Sequence, residues 1–93
     1  RAIRLAYLAR ERPDESASVE FTQWEIDAVI ALLRPKGAKR GEVPSLGQMV
    51  RWIADLGGYV GKSSGGPPGP TVIARGLSKV EVAALALRNF AKM

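Results

Sequence analysis

Residues 71–91, TVIARGLSKVEVAALALRNFA, decide the fold. Ile73, Leu77, Val80, Ala84, Leu87 and Ala91 recur at alternating spacings of four and three, which is the d/a seam of a helix packed along its length. Val82, Ala83, Ala86 and Phe90 form a second apolar face, and Leu85 falls among polar positions such as Ser78, Arg88 and Lys92. An amphipathic helix needs one stripe for its own core. A run such as VEVAALAL therefore implies burial from two sides or an exposed interaction patch. Two arrangements satisfy it: a two-fold pairing of this helix with its mate in a second copy, or a central helix wrapped by the other helices of the same chain.

Before this helix, residues 61–70 hold four glycines and three prolines in ten positions. So little apolar surface does not offset the entropy of ordering, and a mobile or ligand-ordered loop is expected. Gly57 and Gly58 read as the stop of the preceding helix, because a left-handed helix end is best supplied by a residue without Cβ. Three earlier helices are predicted. Residues 1–12 set Ile3, Leu5, Tyr7 and Leu8 among basic side chains. Thr22 and Glu25 fit a capping box, with Phe21 and Ile26 as the flanking staple, so a second helix starts at Gln23. Its apolar face is Ile26, Val29, Ile30 and Leu33, and Pro35 with Gly37 ends it. Ser45 and Gln48 form a second box, opening a helix that carries Leu46, Met49, Val50, Ile53 and Leu56 on one side and Trp52 toward a flank. No alternating strand pattern competes. The expected fold is all-α, a small bundle of about four helices with a Gly/Pro-rich loop before a long C-terminal helix.

Composition narrows the chemistry. A chain of 93 residues makes one small domain that buries about 60–65% of its unfolded surface, a marginal core on its own. The hydrophobic fraction of 46% is ordinary, and the absence of Cys and His removes disulfides, thiolate metal sites and histidine catalysis. No apolar run approaches the roughly 18 residues that span a bilayer, and no signal-peptide core follows the basic N-terminus, so a cytoplasmic protein without a membrane partner is expected. The net charge of +5 is uneven: residues 1–33 carry four basic and six acidic groups, residues 34–93 ten and three. That asymmetry suits a polyanion, whose binding would weaken with salt, as well as simple solubility.

Individual motifs add little catalysis. GGYVGKS approaches a phosphate-binding loop, but that pattern needs four residues between its first Gly and the Gly-Lys pair, and Gly57 to Gly61 leaves three. Glu25 is explained by capping, Asp55 by pairing with Arg51 one turn earlier, and Glu11, Asp14, Glu15 and Glu20 gather around a loop start. Lys36, Lys39, Arg40, Lys62 and Arg75 are the candidates for DNA backbone contact, a role that positions DNA without reading it. Singly, each is better explained as a solvated side chain, and only the cluster carries weight. Trp24 and Trp52 fit core or interface anchors better than base-stacking platforms.

The block from Ile53 to Leu77, IADLGGYVGKSSGGPPGPTVIARGL, resembles the C-terminal region of bacterial DDE transposases of the insertion-sequence-four family, the transposon-five type. The matching pieces are Ile53, Ala54, Leu56 to Tyr59, Gly61 and Lys62, then Gly65, Gly66, Pro68 and Gly69, then Arg75, Gly76 and Leu77. RAIRLAYLARERPDESAS, residues 1–18, is similar to the helix and exit that follow the last catalytic segment of such enzymes. Residues 22–44 carry little of the family pattern. With no Met before Arg1, the chain is expected to be a piece of a longer protein.

The resemblance implies that residues 1–15 end the upstream catalytic domain and its linker, and that residues 16–93 form a dimerisation domain. It implies a homodimer and transposon-end DNA as partners, with no small-molecule substrate. The three carboxylates and their magnesium would lie upstream, so no catalytic or metal-binding residue and no cofactor is expected here. Leu77, Val80, Ala84, Leu87, Phe90 and Ala91 are the expected dimer contacts. Two other readings stay open: a helix-turn-helix-like DNA-binding module from helices two and three, and an inert structural part of the transposase. Against the former, the link of about ten residues is much longer than the three or four usual for that motif.

Overall fold

The computed structural model describes residues 1–39, 41–59 and 67–91. Four helices carry the fold: α1 (Ala2–Glu11), α2 (Gln23–Leu33), α3 (Leu46–Leu56) and α4 (Pro70–Ala91), with a short 3-10 turn at Ala17–Val19. There is no strand among the described residues; one antiparallel bridge joins Ser16 to Ser45. The all-α bundle with a long last helix is therefore the observed architecture. Most of the Gly-rich loop, including Gly61, Lys62, Gly65 and Gly66, lies outside the described residues, as does Arg40.

Local chemistry sets the helix ends as the sequence predicts. Thr22 accepts from the Glu25 amide at 3.2 Å, and the Glu25 carboxylate accepts from the Thr22 amide at 2.9 Å, a complete capping box. Ser45 accepts from the Gln48 amide at 3.2 Å. Arg34 closes α2 in the left-handed region at φ 50°, and Pro35 bars the helix from continuing. Pro70 occupies the first position of α4, where its missing N–H is no loss.

The core is one cluster. α4 packs against α1, α2 and α3 at once, so it is the central helix and the others surround it. Ile73, Leu77, Val80 and Ala84 of its predicted seam are buried, meeting Leu5 and Leu8 of α1, Ile26, Val29 and Ile30 of α2, and Met49, Val50 and Ile53 of α3 within that cluster. α1 thus contributes Leu5, Ala6 and Leu8 to the core. The apolar residues of α1 divide: Leu5 and Leu8 are buried, while Ile3 and Tyr7 are 76% and 56% exposed. At about 100° per residue they fall on the side of the helix opposite Leu5 and Leu8.

Gly57 and Gly76 have separate reasons to be glycine. Gly57 ends α3 at φ −83°, and the left-handed turn falls on Gly58 at φ 96°. A Cβ on Gly57 would run into the Val72 carbonyl of α4, and a Cβ on Gly76 would run into the Ile53 carbonyl of α3. The two helices thus meet backbone to backbone at both points. Lys79 completes the junction, its Nζ donating to the Leu56 carbonyl at 2.8 Å and satisfying an end of α3 that has no helical partner.

The remaining connection, from α1 to α2, is tied to the start of α3. The Leu46 amide donates to the Glu15 carbonyl at 2.6 Å, Gly47 to Pro13 at 3.0 Å and Ala17 to Pro44 at 2.9 Å. Arg4 binds Glu20 at 2.8 Å, a hydrogen-bonded pair that raises the guanidinium pKa further above its ordinary value. Gly76→Ala is expected to destabilise the domain by about 1–3 kcal/mol in urea titration, although Ala gains about 1 kcal/mol over Gly in an isolated helix. Thr22→Ala is expected to cost about 1 kcal/mol in the same titration, the usual loss of a helix cap.

Candidate functional site

The chemistry-bearing side chains are mostly committed to structure. Glu25 serves both the cap and Arg1, at 2.8 Å. Asp27 accepts from Gln23 at 2.9 Å and from the Gly41 amide at 3.1 Å, fastening the far end of the α2–α3 loop to α2. Arg51 reaches Asp55 at 3.5 Å, as expected, and also lies 4.9 Å from the Tyr59 ring centroid. Glu81 pairs with Arg1 at 3.5 Å. These carboxylates act as caps and ion-pair partners.

The expected dimer contacts on α4 divide sharply. Leu77, Val80 and Ala84 are 5%, 0% and 8% exposed; they belong to the chain's own core and are unavailable to a second copy. This corrects the seam-based assignment. The d/a spacing was genuine, but α1, α2 and α3 fill it. Leu87 is half-buried against the same core, while Phe90 and Ala91 are exposed. Beyond Ala84 no described α4 residue is fully buried, so the last turns of the helix are only partly covered.

What remains uncovered is the second apolar face. Val82, Ala86 and Phe90, spaced by four residues, share one side of α4; Val82 and Phe90 are each 72% exposed. Leu32 of α2 extends this face: it lines one shallow, almost wholly apolar depression together with Val82, Ala83, Ala86 and the stems of Ser78 and Lys79. Leu32 was missed because the reading of α2 stopped at its regular buried face. Its signal was an apolar residue outside that face. On another flank, Leu85 lies with Trp24 and Arg88 around a second hollow.

The basic candidates are also separated. Lys36 and Lys39 are exposed on the α2–α3 loop, while Arg75 is exposed on the first half of α4. Arg40 and Lys62 lie outside the described residues. Lys36 borders a cavity of about 220 Å³ with Trp52, Ile30, Ala38, Val43 and Glu42, and Arg34 borders an adjoining one that shares Ile30 and Ala38. Arg75 lines neither. The link between α2 and α3 is long, as expected, and Arg51 of α3 already has two partners, so nothing here favours a helix-turn-helix reader. No helix among the described residues is long and apolar enough to cross a membrane.

Compared with protein-family models, curated proteins and solved structures, the chain matches none of them. The division of α4 carries its own test. Val80→Asp is expected to abolish cooperative thermal unfolding, whereas Val82→Asp, away from the core, is expected to leave the unfolding cooperative.

Proposed function

We propose that this chain is a non-catalytic helical assembly domain, the C-terminal dimerisation domain of a cut-and-paste DNA transposase. Two supports carry this: the family-like residues between Ile53 and Leu77, and above all the exposed apolar face of the central helix. A small domain that leaves Val82, Leu32 and Phe90 in water gains by covering them.

A second copy is a self-consistent cover. In an antiparallel pairing with the two-fold axis at Ala86, Val82 meets the partner's Phe90 and Phe90 meets the partner's Val82, because the two lie equally far from Ala86 along the helix. The small side chain at the axis lets the backbones approach, while the larger ones pack at either end. Leu32 widens the contact on both sides. Pairing of two protomers, each holding a transposon end, would make cleavage by the catalytic domains wait on assembly. Lys36, Lys39 and Arg75 would add sequence-independent contacts to DNA phosphates.

The test is the molar mass of the chain by light scattering over a dilution series at low and high salt. A salt-resistant species near twice 10.0 kDa is expected. The double variant Val82→Glu and Phe90→Glu is expected to remain helical by circular dichroism and to become monomeric. A wild-type chain that is monomeric throughout, or a variant that associates as before, overturns the proposal.

A further inference from the structure

The described part of the loop between α2 and α3, residues 34–39 and 41–45, carries several hydrogen bonds of its own. It contains two successive turns, closed by the Ala38 amide on the Pro35 carbonyl at 3.1 Å and the Glu42 amide on the Lys39 carbonyl at 3.2 Å. The first has glycine as its third residue, Gly37 at φ 82°, as a type II turn demands, and Gly41 is likewise left-handed at φ 93°. A Cβ at either glycine would meet no atom, so backbone conformation alone calls for glycine. Asp27 of α2 accepts from the Gly41 amide at 3.1 Å and ties the loop to that helix.

Behind the first turn lies the cavity of about 220 Å³. It is smaller than the roughly 300 Å³ at which pockets for drug-sized ligands begin, and suited to one planar ring. Ile30, Ala38, Val43 and Pro44 give it apolar walls, and Trp52, half-buried against the core, offers the aromatic surface. Lys36 and Glu42 are the two charged residues among those that line it. Lys39 and Arg34, both exposed, add positive charge to the same loop.

We infer that this groove binds a single-stranded nucleic acid, seating one unpaired base against Trp52 while the flanking phosphates lie along Lys36 and Lys39. An aromatic surface beside a basic track is the combination that single strands use, since every base has a π-face and every linkage a charge. The opposite charges of Lys36 and Glu42 set the orientation. Glu42 repels phosphate and accepts from a base N–H, which each of the four bases has on its pairing edge, so the backbone runs on the lysine side and recognition tolerates any sequence. The inference rests on the nucleic-acid partner of the proposed function, but not on dimerisation through α4.

Trp24→Phe leaves Trp52 as the sole indole reporter in the full chain. Titration with an eight-nucleotide homothymidine strand is expected to quench its fluorescence, and an abasic strand of equal length is expected to bind about tenfold or more weakly without quenching. Lys36→Ala with Lys39→Ala is expected to flatten the salt dependence, each lost phosphate contact removing about 0.7 from the log–log slope. Trp52→Leu, which keeps apolar bulk, is expected to erase the difference between intact and abasic strands. Saturable binding without quenching, equal quenching by the abasic strand, or equal quenching by an octaglutamate peptide would each overturn the assignment. No binding of the intact strand would do so too, and the light-scattering mass would show separately whether the assembly reading stands.

Discussion

The close approach of α3 and α4 is the constraint on which the other contacts depend. Gly57 faces the Val72 carbonyl and Gly76 faces the Ile53 carbonyl, so the two backbones touch where other residue types would hold them apart. That contact brings Ile53 and Ile73 into one fully buried layer and brings Lys79 within reach of the open end of α3. With α3 fixed, the turn at Ser45 and Leu46 gathers the α1–α2 connection through the Glu15, Pro13 and Pro44 carbonyls. A glycine inside a helix weakens it locally, and here the loss is offset by packing that no larger residue permits.

Placing α4 at the centre also determines what is left over. A helix surrounded by three neighbours can still expose part of its circumference, and the uncovered part here is apolar at Val82 and Phe90. The molecule therefore has two surfaces of different character. The α4 face is apolar, with Leu32 of α2 beside Val82, Ala83 and Ala86. The α2–α3 loop sets Lys36 and Glu42 with Trp52 around a separate cavity. The two share no lining residue, so under the proposals above pairing through one does not require the other to be vacated.

The helices were legible because their signals are local. Thr22 with Glu25, Ser45 with Gln48, and Pro35 after Arg34 act through neighbours in the chain, and the structure has those caps and stops. The spacing of Ile73, Leu77, Val80 and Ala84 likewise identified a packed seam. What it did not identify was the packing partner, because a seam filled by three helices of one chain and a seam filled by a second chain have the same period. Ile3 and Tyr7 of α1 make the same point: their hydrophobicity is intrinsic, but the side of α1 that is covered depends on where α3 and α4 lie.

The amino-acid sequence by itself determined that this protein is helical, where its helices begin and end, and that its last helix has more apolar surface than one stripe. These follow from capping, proline geometry and periodicity, all of which act within a few residues. Only the tertiary structure decided which apolar residues are spent. It buried Leu77, Val80 and Ala84, left Val82, Leu32 and Phe90 outside, and set Trp52 beside Lys36. The physical reason is that burial is a property of neighbours distant in the chain, and here two glycines chose them by letting α3 and α4 come close enough to touch.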